Sequence, residues 1–143
     1  MPVSTDPSMN ASASGPRLAL VVDDDGDMVL MLSEFVRACG YEAVGVQSFA
    51  DFVTEMERVP SVLLLDLIMP EATSERIVEW LAFHDSRIPI VLVSSLSLDS
   101  IERRQAQAVA LGLHSPAILR KPFWLADVAA VLTTAAATST SRA

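Results

Sequence analysis

The chain has 143 residues, a formal net charge of −8 and a hydrophobic fraction of 51%. This length suits one domain with a buried core, and the apolar fraction is expected for a central sheet covered on both faces. The acidic balance argues against direct nucleic-acid binding, one cysteine excludes an internal disulfide and fits a reducing cytoplasm, and no apolar run is long enough to predict a membrane span.

The two ends of the chain differ in composition from the rest. Residues 1–16 are rich in Ser, Pro and Ala, which predicts a disordered N-terminal tail. Residues 136–143 are rich in Ala, Thr and Ser and are predicted to be a second disordered tail or the start of a linker. Residues 17–135 are therefore predicted to form one domain.

Five short apolar runs alternate with five helical patterns inside this domain. The predicted strands lie near residues 18–23, 42–46, 62–66, 89–93 and 117–120. Ser48 is the predicted N-cap of the second helix, and Gly40 and Gly112 are predicted to end the first and fourth helices. The alternation predicts right-handed βαβ crossovers and therefore an α/β fold with a doubly wound parallel sheet.

Polar side chains stand at the carboxyl ends of four predicted strands: Asp23 and Asp24 after the first, Asp66 at the end of the third, Ser94 and Ser95 after the fourth, and Lys121 after the fifth. The carboxyl ends of parallel strands meet at one edge of a sheet. Lys121 is also the only lysine of the chain. We therefore expect these side chains to converge on one pocket.

Three neighbouring carboxylates repel one another unless a hard divalent cation lies between them, which predicts a site for Mg²⁺ or Mn²⁺. A carboxylate beside such an ion is able to attack phosphorus and form an acyl phosphate. Lys121 would neutralise one phosphoryl oxygen and Ser94 would donate a hydrogen bond to another. The structural alternative is that Asp23 and Asp24 cap the turn into the first helix and that Ser94 and Ser95 are ordinary polar residues at a strand end.

The segments VVDDD, LLLDLIMP, VLVSS and LRKPF, in this order and spacing, resemble the receiver domain of bacterial two-component response regulators. The resemblance covers about residues 17–135 and implies a flavodoxin-like (βα)5 fold with strand order 2-1-3-4-5. It also implies a cis peptide bond before Pro122. The implied site consists of the phosphoacceptor Asp66, the metal ligands Asp23, Asp24, Asp66 and the backbone carbonyl of Ile68, and the phosphate-binding or switch residues Ser94, Ser95 and Lys121.

The resemblance also implies partners. These are a sensor histidine kinase or a histidine phosphotransfer protein upstream, and an output protein or fused domain downstream. Leu30 and Met31 fall outside the predicted buried face of the first helix, near the acidic pocket, and are candidates for partner docking, although single exposed apolar residues are common. The final helix has few charges, which fits a homodimer or output-domain face as well as simple burial.

Three positions depart from the family pattern. Ile118 stands where most members carry an aromatic switch residue, so signalling is expected to pass through Ser94, the 95–100 loop and the fourth helix. Ile68 replaces an amide that some relatives carry there, which predicts a longer-lived phosphorylated form. Residues 71–74 replace a turn that usually contains Gly and Asp, so the geometry of that loop stays open at this point.

Two other function classes deserve comparison. An aspartate-nucleophile phosphatase of the haloacid-dehalogenase type needs a second acid two residues after the nucleophile, where this chain has Ile68. A pseudo-receiver that acts only as a binding module usually lacks the acceptor or the acidic pair, and neither is missing here. We therefore expect a phosphoacceptor that is not an enzyme beyond slow autodephosphorylation.

Overall fold

The computed structural model describes residues 17–141. Its elements are, in chain order, β1 (Leu18–Val22), α1 (Gly26–Ala38), β2 (Glu42–Val46), α2 (Phe49–Met56), β3 (Val62–Asp66), a short 3-10 turn (Pro70–Ala72), α3 (Thr73–Phe83), β4 (Pro89–Ser94), α4 (Leu98–Ala110), β5 (His114–Arg120) and α5 (Leu125–Ser141). None of the helices within this part of the chain is long and apolar enough to cross a membrane.

The five strands form one parallel sheet in the order β2-β1-β3-β4-β5. This order confirms the predicted flavodoxin-like (βα)5 fold. β5 begins at His114, earlier than the predicted start at residue 117, and its pairing with β4 contains a register shift between Pro89 and Val91. The carboxyl ends of all five strands therefore meet at one edge of the sheet.

Helices cover both faces of the sheet, as the composition predicts. Alternate strand residues point to opposite sides. Leu20, Leu63 and Leu65 belong to a core with Phe52 of α2, Ile77 of α3 and Ile101 of α4. Ala19, Val21 and Leu64 belong to a second core with Leu32 of α1 and Val128 of α5. Because both faces are buried, the strands read as continuous apolar runs.

Helix α5 is longer than the sequence interpretation has it. The helix continues to Ser141, so residues 136–141 are helical rather than a disordered tail. Alanine has the highest helix propensity of all residues, and the Ala-rich stretch extends the helix past the predicted boundary. The N-terminal tail predicted over residues 1–16, and residues 142–143, lie outside the described residues.

Capping residues fix the starts of the helices at the functional edge of the sheet. Ser48 accepts a hydrogen bond from the backbone N–H of Asp51 at 3.1 Å, which confirms its predicted role as the N-cap of α2. Asp25, not Asp23 or Asp24, is the N-cap of α1, and its carboxylate accepts from the N–H of Asp27 at 3.0 Å. Asp23 Oδ1 accepts a hydrogen bond from the N–H of Asp25 at 3.0 Å, so Asp23 also stabilises the turn that leads into α1.

Candidate functional site

Backbone hydrogen bonds of the sheet hold the strand-end residues in place. Asp23 N–H donates to the carbonyl of Val46 at 3.2 Å, which continues the pairing of β1 with β2. Lys121 N–H donates to the carbonyl of Ser94 at 2.9 Å, which continues the pairing of β5 with β4. The functional side chains therefore project from the ends of paired strands and not from free loops.

Three carboxylates meet at this edge. One oxygen from each of Asp23, Asp24 and Asp66 lies within 4.8 Å of the others. Asp23 and Asp66 are 2% and 3% exposed, whereas Asp24 faces solvent. A donor set made only of oxygens, open to water on one side, fits the preference of Mg²⁺ for carboxylates and retained waters. Mn²⁺ accepts the same ligands.

Lys121 completes the cluster from the other end of the sheet. Its Nζ lies 3.1 Å from Asp23 Oδ2 and 3.5 Å from Asp66 Oδ1. The ammonium therefore sits over the carboxylates, where it is able to neutralise added negative charge. The peptide bond between Lys121 and Pro122 is cis, as the resemblance implied.

The surroundings of Asp66 disfavour its charged form when no cation is considered. The pKa of Asp66 is raised to about 6, chiefly by burial and next by the neighbouring charge of Asp23. The N–H of Ile68, which donates to Asp66 Oδ1 at 3.3 Å, and the charge of Lys121 lower the pKa but do not cancel the burial effect. A divalent cation would reverse this balance, because its charge favours the ionised carboxylate.

The two serines after β4 differ in their environment. Ser94 is fully buried, and its Oγ accepts a hydrogen bond from Leu96 N–H at 3.1 Å. Ser95 is exposed on the loop that follows. That loop ends at Ser97, whose side chain caps α4 by accepting from Ser100 N–H. A loop of three residues, 95–97, thus joins Ser94 to the start of α4.

The remaining predicted residues lie around this cluster. The side chain of Ile68 is 54% exposed, and the metal-ligand role of its carbonyl stays a prediction. Ile118 is half-buried and packs against the core formed with α2, α3 and α4, so it offers neither a ring nor a hydroxyl for switching. Leu30 and Met31 are 61% and 39% exposed on α1, in agreement with the exposure expected of them.

The loop after β3 contains a polar contact that sequence reasoning missed. Glu71 and Ala72 both adopt left-handed backbone conformations, with φ of 61° and 55°. Ser74 is buried and donates from Oγ to the carbonyl of Leu67 at 2.9 Å, while Arg104 Nη2 donates to the same Oγ at 3.1 Å. The signal was present: Arg104 falls three residues after the buried Ile101, on the inward face of α4.

Comparison with known proteins agrees with this geometry. Residues 19–133 match the sequence profile of the response regulator receiver domain. The chain is 33% identical over 125 residues to the transcriptional regulatory protein PrrA of Mycobacterium tuberculosis, covering 85% of this chain and 50% of PrrA. It is 29% identical over 131 residues to the transcriptional regulatory protein PdtaR of the same organism, covering 87% of this chain and 58% of PdtaR. The chain thus spans about half the length of these curated relatives.

Solved structures share the fold. The signal receiver domain of a LuxO repressor protein from Vibrio parahaemolyticus superposes with a TM-score of 0.75 at 16% identity, covering 89% of this chain and 95% of that chain. The chemotaxis response regulator CheY4 of Vibrio cholerae gives a TM-score of 0.70 at 20% identity, covering 82% of this chain and 97% of that chain. From the profile match over most of its length, the chain belongs to the response regulator receiver domain family of two-component signal transduction.

Proposed function

We propose that this receiver domain accepts a phosphoryl group on Asp66 in a reaction that depends on Mg²⁺ or Mn²⁺. The donor would be the phosphohistidine of a sensor histidine kinase or of a histidine phosphotransfer protein. The observation that carries the proposal is the convergence of Lys121 Nζ and three carboxylates, two of them buried, on one point at the sheet edge. Receiver domains are phosphoacceptors and generally bind Mg²⁺ at an acidic pocket of this kind.

The proposed transfer makes one bond and breaks one. A carboxylate oxygen of Asp66 attacks the phosphorus, the new P–O bond forms, and the P–N bond to the donor imidazole breaks with the electron pair leaving on nitrogen. Lys121 neutralises one equatorial oxygen and the hydroxyl of Ser94 donates to another. Asp23, Asp24, Asp66 and the carbonyl of Ile68 would hold the cation. When bound, the cation supplies charge neutralisation during transfer.

The surface around the site offers a place for the donor. Leu30 and Met31 are exposed on α1, the helix that begins directly after the carboxylate pair. Apolar side chains beside a reactive carboxylate suit the docking of a helical kinase or phosphotransfer domain. Downstream, an output protein, a fused domain or a second copy of the chain would bind the conformation that phosphorylation favours. Such signalling is proposed to take place in the cytoplasm.

The alternative of a pseudo-receiver that phosphorylation does not regulate is not favoured. A module used only for binding does not require two buried carboxylates in contact with a lysine. Burying such charged groups costs folding free energy, and they are typical of functional sites. The same cluster lacks a second acid at Ile68 that would activate water, so the chain is proposed to act as an acceptor and not as a phosphatase.

Intact mass spectrometry tests the proposal. The chain is incubated with Mg²⁺ and acetyl phosphate or phosphoramidate, and an adduct of about 80 Da is expected. Asp66→Asn should abolish the adduct, and removal of the cation with a chelator should do the same. Asp51→Asn, which changes an exposed acid on α2, is the matched control and should keep the adduct. An adduct that survives Asp66→Asn would place the acceptor elsewhere.

A further inference from the structure

Helix α4 is connected to the residue after Asp66 by two hydrogen bonds. Arg104 Nη2 donates to Ser74 Oγ at 3.1 Å, and Ser74 Oγ donates to the carbonyl of Leu67 at 2.9 Å. We propose that Arg104 and Ser74 form a latch that holds α4 in its present position and thereby opposes phosphorylation of Asp66. This inference rests on the proposed function, because it takes Asp66 as the acceptor.

Few side chains of α4 are buried against the rest of the domain. Ile101 and Ala108 are the buried residues of this helix. Between α3 and α4 there is an open groove of about 390 Å³, with Leu67 and Leu92 among its lining residues. Since side chains do not fill this space, a polar contact that crosses it contributes more to the position of α4 than it would at a packed interface.

The environment of the latch favours a well-formed contact. Ser74 is 0% exposed, and the Arg104 side chain is 23% exposed. The Ser74 hydroxyl has one hydrogen, for which the carbonyl of Leu67 and the Glu75 carboxylate, 3.1 Å away, compete. The carbonyl of Leu67 is the nearer acceptor, and Arg104 Nη2 lies 3.4 Å from the other Glu75 oxygen, Oε2, so the guanidinium contacts both Ser74 and Glu75.

Phosphorylation would act on the same helix from its other end. The hydroxyl of Ser94 is held by Leu96 N–H, and the loop continues to Ser97, the N-cap of α4. A phosphoryl group on Asp66 that engages Ser94 moves this loop and the helix start with it. A hydrogen bond of 3.1 Å tolerates little displacement, so moving α4 lengthens the contact between Arg104 and Ser74.

The two events therefore compete, and linkage makes the competition reciprocal. If a phosphoryl mimic bound at Asp66 weakens the contact between Arg104 and Ser74 by some factor, loss of that contact must raise the affinity for the mimic by the same factor. This route needs no aromatic switch, which the chain lacks because Ile118 occupies that position.

Titration with beryllium fluoride and Mg²⁺, a stable mimic of the phosphoryl group, tests the latch. Arg104→Gln should bind the mimic about fivefold more tightly than the native chain, the effect of losing one hydrogen bond. Ser74→Ala should do the same, and the double variant should gain no more than either single change. Arg103→Gln removes the same charge from the neighbouring exposed residue and should leave the affinity unchanged.

A second readout separates the latch from simple structural damage. Urea unfolding should show that Arg104→Gln is less stable than the native chain, although it binds the mimic more tightly. Damage to the fold would lower both quantities. If the native chain binds the mimic through Asp66 but Arg104→Gln and Ser74→Ala bind it no more tightly than Arg103→Gln, the latch is wrong and the proposed function stands. If Asp66→Asn has no effect on binding, the proposed function fails and the latch with it.

Discussion

Lys121 Nζ lies 3.1 Å from Asp23 Oδ2, although the strands that carry them, β5 and β1, are separated in the sheet by β4 and β3. The lysine therefore reaches across the ends of two strands, past Asp66, to contact a carboxylate 98 residues earlier in the chain. This contact closes the acidic pocket on one side and leaves the exposed Asp24 on the other.

Removing the charge of Lys121 is expected to impair phosphorylation. Lys121→Gln leaves the buried Asp23 and Asp66 without their cationic neighbour and removes the group that would neutralise a phosphoryl oxygen. We expect the rate of adduct formation with acetyl phosphate to fall at least tenfold, an effect of roughly 1.4 kcal/mol or more. Arg87→Gln, an exposed arginine just before β4 at the opposite edge of the sheet, is the control. Equal rates for Lys121→Gln and the native chain would remove the lysine from the site.

The stability of the chain without metal should depend on pH through Asp66. Its pKa is raised from 3.8 to about 6 in the folded state, so between these values the folded chain binds more protons than the unfolded chain, and stability falls as pH rises. Asp66→Asn has no carboxyl group to ionise, so its free energy of unfolding should not fall over this pH range. At pH 7 it should be more stable than the native chain by roughly 1–3 kcal/mol.

Urea unfolding in a chelator across pH 4–8 measures this difference. The two proteins should have similar stability near pH 4, where Asp66 is largely protonated in the native chain, and should diverge up to about pH 6. A constant difference across the whole range would show that the substitution acts through something other than the charge of Asp66.

Cation binding should be lost on substitution of Asp24 with little cost to the fold. Mg²⁺ is expected to raise the stability of the native chain by about 2–3 kcal/mol at a hundredfold excess over its dissociation constant. Asp24→Asn removes an exposed carboxylate of the cluster and should reduce this gain strongly. Asp27→Asn makes the same change at an exposed acid outside the cluster and should keep the gain. Thermal unfolding with and without Mg²⁺ measures this gain in stability. If Asp24→Asn gains as much stability from Mg²⁺ as the native chain, Asp24 is not a metal ligand.

The lifetime of the phosphorylated form should depend on Ile68. Its exposed apolar side chain lies beside Asp66 and has no polar group to position water for hydrolysis. Ile68→Asn is expected to lose its phosphoryl group severalfold faster than the native chain, and Ile68→Val should lose it at the native rate. The decay of the adduct after donor removal, followed by intact mass, is the measurement. Equal dephosphorylation rates for Ile68→Asn and the native chain would contradict this prediction.

The close approach of α1 to β2 depends on Gly45. A Cβ atom at this position would overlap Val29 Cγ1 on α1. Gly45→Ala should therefore destabilise the chain by about 1–3 kcal/mol, the usual range for overpacking. At Gly26 a Cβ meets only ordinary contacts at 3.5 Å or more, so Gly26→Ala should be tolerated. Combining Gly45→Ala with Val29→Ala should recover stability, and failure to do so would mean that Val29 is not the obstacle. Urea unfolding measures the free energy of unfolding of the native chain, the two single glycine variants and the double variant.

Local patterns were enough to predict much of this fold. The strands read as continuous apolar runs because both faces of the sheet are buried, and the N-cap Ser48 is recognisable because a cap depends only on the next turn. The residues at the strand ends followed from the same reasoning, since the topology of a parallel sheet gathers them at one edge. The order of the strands came from the resemblance and not from the residues alone.

Other features depend on contacts between residues far apart in sequence. The contact between Lys121 and Asp23, the raised pKa of Asp66 and the latch between Arg104 and Ser74 exist only once sheet order and helix packing bring these groups together. The sequence by itself determined which chemistry stands at the sheet edge, because hydrophobic period and strand ends are local. Only the tertiary structure decided how these groups are charged and connected, because burial and distance are properties of the folded chain.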